Sequence, residues 1–403
     1  MLVRELGCSA CHADLPPFDV ARLGAPALEP GVPRADSVFA YLRRPVAASP
    51  GLARMPDFHL DEAEALAVSL FLGGGRGSRA LQRARRSHPE ANAEAGRRIF
   101  VALNCAGCHR SSVAQRPPTA PLLALEGSRV THSWLGSFLR HPRSIRPFGA
   151  PPGSGARMPD FALSAVEADS IAAFLVRRTV AIPGFVPRRL SAFSAAKAHT
   201  LLEERFACLG CHALGGRGGR IAPDLAESAN RLRPEYLKAM IENPQRLVPG
   251  TIMPRTVAPA ETIDLIASYL AANELPETAR DTARGGYVSL VTYSTTNTAR
   301  GDTTTYNVYC AGCHGPSGAG DGPNARFLRA RPANHADSTA MAARSDDGLY
   351  DAISAGGRVL GVSLEMPPFG TVLDPEAIRG LVAYIRTLCR CRGPEWSRDG
   401  GRP

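Results

Sequence analysis

Apolar residues recur at helical spacing in four stretches of the chain: residues 60–72, 163–177, 260–272 and 374–388. The third carries Ile263, Ile266, Ala267 and Leu270; the fourth carries Ile378, Leu381, Val382 and Ile385. Steps of three and four residues put such positions on one stripe, so four amphipathic helices are predicted. Further helical stretches, AEAGRRIFVALNC and AAKAHTLLEERFAC among them, precede the second and third. The expected fold class is all-α. No window approaches the roughly 18 unbroken apolar residues a membrane helix needs.

Between leading and closing helices the same punctuation returns four times. A Cys-x-x-Cys-His motif comes first, then a proline-rich loop, then Met-Pro. The repeat divides the 403 residues into serial modules at 1–75, 93–180, 194–275 and 300–391. Linkers are expected near 76–92, 181–193 and 276–299, where Gly, Pro, Arg, Ser and Thr replace helical patterning.

The motifs are Cys8-Ser-Ala-Cys11-His12, Cys105-Ala-Gly-Cys108-His109, Cys208-Leu-Gly-Cys211-His212 and Cys310-Ala-Gly-Cys313-His314. Two thiols at this spacing share one helical turn and can form thioethers to the two vinyl groups of one porphyrin. The adjacent histidine then lies under the iron. Four covalent haems c are expected. Structural zinc fits less well, because it takes two nearby pairs and these pairs lie 97–103 residues apart. Dithiol redox chemistry gives no reason for the histidine.

Each motif histidine is followed after 41–52 residues by Met55, Met158, Met253 or Met366, each preceding a proline. Methionine is a soft axial partner that raises haem potential, and the proline holds it extended. The first two copies match closely, as RMPDFHLDEAEAL and RMPDFALSAVEAD. Met240 and Met341 read as core filler. A ligating histidine usually donates its second ring N–H to an outer acceptor, and Pro26, Pro121, Pro223 and Pro332 offer carbonyls, one in each module's loop.

The formal charge is +10, with lysine only at 197 and 238. Arg76, Arg79, Arg83, Arg85, Arg86, Arg97 and Arg98 cluster in the first linker region and read as a solvated face. Eight haem propionates would cancel most of the excess. No nucleic-acid partner is expected.

The order of elements resembles class I cytochromes c, small helical domains wrapped around one haem. The resemblance implies thioether cysteines at 8/11, 105/108, 208/211 and 310/313. It implies proximal histidines at 12, 109, 212 and 314, with distal methionines at 55, 158, 253 and 366. Extracytoplasmic, periplasmic electron transfer follows from it, with redox protein partners or a respiratory complex, and peripheral membrane association is compatible. With both axial positions filled, a carrier is expected rather than an enzyme. The alternatives are a peroxidase- or nitrogen-oxide-reductase-type haem enzyme, or a cytochrome subunit of a larger dehydrogenase or quinol-oxidising complex.

Some features depart from the pattern. Module 1 has seven residues before its first cysteine, so helix 60–72 is expected to lack a partner. No export signal is evident, so an upstream segment beyond Met1 is expected. Cys389 and Cys391 would be strained as a bridge, so free thiols or an intermolecular bridge stand at least level with it. His59, His88, His132, His141, His199 and His335 read as surface histidines.

Overall fold

A computed structural model of the chain describes residues 2–15, 17, 25–45, 55–73, 78–109, 111–113, 120–147, 157–272 and 303–397. Arg76 and the linker at 276–299 lie outside the described residues. Among the described residues the regular structure is helical, as the apolar spacing predicts, apart from one two-stranded hairpin. The described residues divide into two compact units, those up to residue 181 and those from residue 182 onward.

The first unit contains α1 (Leu2–Glu5), α2 (Ala35–Arg43), α3 (Glu62–Leu72), α4 (Arg79–Ser87), α5 (Ala93–Ala102), α6 (Glu126–Arg129), α7 (His132–Arg140) and α8 (Ala165–Leu175). Local sequence sets the starts of α3 and α8. Asp61 and Glu64 form a reciprocal capping box on α3, and Ser164 and Glu167 do the same on α8. Each box satisfies otherwise orphaned backbone N–H groups of a first turn.

Helix α3 is buried along almost its whole length, and its main partner is α5. The expectation that helix 60–72 lacks a partner is therefore corrected: the leading helix of residues 93–180 covers it. The crossing is close. A Cβ on Gly96 would lie 1.9 Å from the Ala67 carbonyl oxygen, so only glycine admits this approach. Phe71 and Phe100 meet edge to face beside it, ring centroids 5.7 Å apart. Helices α2 and α3 thus share one hydrophobic core with α5.

The stretch expected as a linker at 76–92 contains α4. Ser78 caps it, accepting from Leu81 N–H, and Leu81 and Ala84 enter the same core. Burying one leucine contributes roughly 1.5–3 kcal/mol, enough to dock a short helix whose other face is arginine. Arg79, Arg83, Arg85 and Arg86 are exposed there, and Arg97 pairs with Glu94 at 3.0 Å.

The second unit holds α9 (Ala192–Thr200), α10 (Ser228–Arg231), α11 (Pro234–Glu242), α12 (Pro244–Leu247) and α13 (Ala260–Ala271) around one core. A second core gathers α14 (Thr303–Tyr309), α15 (Ala311–His314), α16 (Ser338–Ala342), α17 (Asp346–Ala355) and α18 (Pro375–Cys389). Strands β1 (Ala213–Leu214) and β2 (Arg217–Gly218) pair antiparallel across Gly215-Gly216, both at positive φ, as a tight two-residue hairpin turn requires. Here each closing helix packs on its own module's leading helix, α13 on α9 and α18 on α14. Cys389 and Cys391, for which the sequence leaves free thiols or an intermolecular bridge at least level with a bond between them, are bonded to each other. Arg390 between them is left-handed at φ 50°, which brings their Cα atoms to 5.2 Å.

Candidate haem attachment sites

The four motifs adopt nearly one shape. Cys8–Ala10, Cys105–Gly107 and Cys208–Gly210 are single 3-10 turns, each entered from a left-handed residue: Gly7, Asn104 or Ala207. The fourth motif lies in α15. In every copy the histidine N–H donates to the carbonyl of the first cysteine, at 3.0, 3.0, 2.9 and 2.9 Å in chain order. Both thiols and the imidazole therefore share one turn. None of the eight cysteines is in a disulfide.

Burial pushes the thiols up, Cys105, Cys208 and Cys310 to about 12, Cys8 and Cys108 to about 11. Cys11, Cys211 and Cys313 shift in the same direction for the same reason. A redox dithiol needs the opposite shift. Among the described residues, no group of three or more His, Cys, Asp or Glu is arranged to hold a bare metal ion. The donor set fits a porphyrin that brings its own iron ligands better than it fits zinc.

Each motif histidine points Nδ1 at a backbone carbonyl: His12 at Pro121 (2.8 Å), His109 at Pro26 (2.9 Å), His212 at Pro223 (2.7 Å) and His314 at Ala333 (2.9 Å). A carbonyl can only accept, so Nδ1 carries the proton and Nε2 keeps its lone pair. Burial, the leading cause, lowers the affinity of His12, His109 and His314 for a second proton. The proline assignment holds as expected only for Pro223. Pro26 and Pro121 are exchanged between the first two modules, and Ala333 takes the place of Pro332.

Met55 Sδ lies 3.5 Å from His109 Nε2. The first module's methionine therefore faces the second module's histidine. Met55, Met158 and Met366 are half-buried. Gln245 holds the Met253 segment by donating to its carbonyl at 2.7 Å, and Gly357 N–H donates to Met366 O at 3.1 Å.

Two asparagines clasp neighbouring motifs. Asn104 Nδ2 donates to Ala10 O at 2.7 Å in the first unit. In the second, Asn324 Nδ2 donates to Gly210 O at 3.0 Å and stands 3.3 Å from Cys313 Sγ, while its Oδ1 accepts from Arg220 N–H at 2.7 Å. Asn324 is fully buried. The sequence reading passed over both residues; asparagine beside or shortly after a motif was the available signal.

His335, read as a surface residue, is 7 % exposed. It stacks on His314 with ring centroids 4.1 Å apart, and its Nδ1 is hydrogen-bonded to Tyr306 Oη at 2.9 Å. Desolvation first, then His314, push its pKa down to about 2, so it is a neutral core histidine. The other five are exposed or half-exposed.

The family model for cytochrome c matches residues 93–178. The model for subunit III of cbb3-type cytochrome c oxidase matches residues 194–270 and 297–385. No curated protein and no solved structure matches the chain significantly. These matches fall on both units and support a c-type cytochrome: the chain carries cytochrome c domains, the helical domains of haem-based electron carriers.

Proposed function

We propose that this chain is a tetrahaem c-type cytochrome that relays electrons between extracytoplasmic redox partners. The observation that carries the reading is the fourfold recurrence of one turn, with two thiols, a histidine oriented through Nδ1, and a Met-Pro segment later in each module. Thioethers form at Cys8/Cys11, Cys105/Cys108, Cys208/Cys211 and Cys310/Cys313. His12, His109, His212 and His314 are the proximal ligands; Met55, Met158, Met253 and Met366 are the distal ones. Haem supplies the one-electron chemistry when bound. The protein holds each imidazole in a single tautomer through a carbonyl, which fixes the ring and raises its basicity. With haem bound, these methionines would be the second protein ligands of the iron and would shift its potential upward. With both positions taken, substrate has no place on iron, so the carrier reading is preferred to a peroxidase or nitrogen-oxide reductase.

A second reading concerns the partner. The match of residues 194–270 and 297–385 to a respiratory-oxidase subunit model favours docking to a respiratory complex. No helix among the described residues is long and apolar enough to cross a membrane. The test is a quantified haem content with reduced spectra taken with and without carbon monoxide. Four haems and no spectral shift are expected. Fewer haems, or a carbon monoxide complex in the untreated protein, would overturn the reading.

A further inference from the structure

In the first unit each motif is completed by the other module's loop. His109 Nδ1 donates to Pro26 O, Ser111 Oγ donates to Leu28 O at 2.7 Å, and Met55 Sδ stands opposite His109 Nε2. The first motif makes the reverse set. His12 Nδ1 donates to Pro121 O, Ala120 N–H donates to Cys11 O at 3.3 Å, and Asp14 Oδ1 accepts from Leu123 N–H at 3.0 Å. Arg178, just beyond α8, binds the Asp14 carboxylate at 2.8 Å.

The helices follow the same exchange, α3 lying on α5 and the short α1 on α8. The two Met-Pro segments meet through a reciprocal pair, Asp57 N–H to Asp160 O and Asp160 N–H to Asp57 O, both 2.8 Å. Such a pair relates the identical segments Met55–Phe58 and Met158–Phe161 by a local two-fold axis, so the relation of Met55 to the second motif implies that of Met158 to the first. The second unit provides the contrast: His212 finds its carbonyl 11 residues away, His12 109 residues away.

We propose that axial ligation in the first unit is crossed, with Met55 serving the haem of His109 and Met158 the haem of His12. Each haem is then bonded to one module's cysteines and histidine and to the other module's methionine. The proposal rests on the His/Met reading above. The helix packing is consistent with it: α5, the main partner of α3, leads directly into the second motif and carries it to Met55.

The test uses the reduced holoprotein with 13C-labelled methionine methyl groups, assigned by single Met→Leu variants. Each haem is identified through its own cysteine thioether protons. Nuclear Overhauser effects are expected from the Met55 methyl to the haem on Cys105 and Cys108, and from the Met158 methyl to the haem on Cys8 and Cys11. The serial pattern would overturn the crossing and leave His/Met ligation standing. Absence of any haem-shifted methionine methyl would overturn the ligation reading, and the crossing with it. A second arm starts from Cys105→Ala/Cys108→Ala, which lacks the second haem. There Met158→Ala should add one bound carbon monoxide per chain and Met55→Ala none; the reverse result contradicts the proposal.

Discussion

Replacing Arg157 by methionine should cost the first unit about 3–5 kcal/mol, the usual consequence of stripping one partner from a buried ion pair. Arg157 directly precedes Met158, and its guanidinium donates to Glu64 in α3 at 2.5 and 2.8 Å. The two side chains are 2 % and 1 % exposed, so water cannot take over for the lost partner. The same guanidinium reaches the carbonyls of Phe58 and His59 at 3.4 and 3.3 Å, which lengthens the list of groups it satisfies. Glu64 also closes the α3 capping box, so the companion variant is Glu64→Gln, which keeps an acceptor for Asp61 N–H. At about 2–4 °C per kcal/mol for a unit of this size, Arg157→Met should lower the melting temperature by roughly 6–20 °C. The double variant Glu64→Gln/Arg157→Met should recover most of that loss, because no charge is then stranded. Thermal scans by circular dichroism and urea titrations of the holoprotein provide the readings. A single-variant loss below about 1 kcal/mol, or a double variant no better than the single, would refute the reasoning.

Met253→Ala and Met366→Ala should each lower the potential of one haem and open it to carbon monoxide; an unchanged redox titration would remove that methionine from the ligand set. Gly96→Val should destabilise the first unit by about 1–3 kcal/mol or more through overpacking at the α3–α5 crossing, read as a lower urea midpoint. Tyr306→Phe should cost the second unit about 1–3 kcal/mol by removing the hydroxyl that bonds buried His335; an unaltered midpoint would contradict that bond's role.

The helices and motif turns were legible because both are local. Apolar spacing placed the last closing helix at 374–388, against Pro375–Cys389 in the structure. Partnership was not legible. Periodicity states that α3 must bury a face but not against which helix. The clue to the exchange was the near-identity of the RMPDF sequences in the first two modules alone. Helix α4 hid behind arginine density, since only Leu81 and Ala84 mark its inner face. His335 looked like a lone polar residue because its partner, Tyr306, lies 29 positions upstream. The Pro332 assignment missed by one residue, an offset that composition cannot resolve.

The separation between His12 and Pro121 has a consequence for biogenesis. A chain that emerges from its amino end presents Cys8 and Cys11 long before residues 120–178 exist to cover them. The second motif meets no such delay, since Pro26 and α3 precede it. The second site can therefore close as soon as its own turn appears, whereas the first stays open for 109 residues of further synthesis. In the second unit, the third site waits for 11 residues to reach its carbonyl. Long-range closure of this kind is slow and exposes apolar surface meanwhile. Of the four motifs, the first is thus the one whose histidine waits longest, in residues of chain, for its carbonyl.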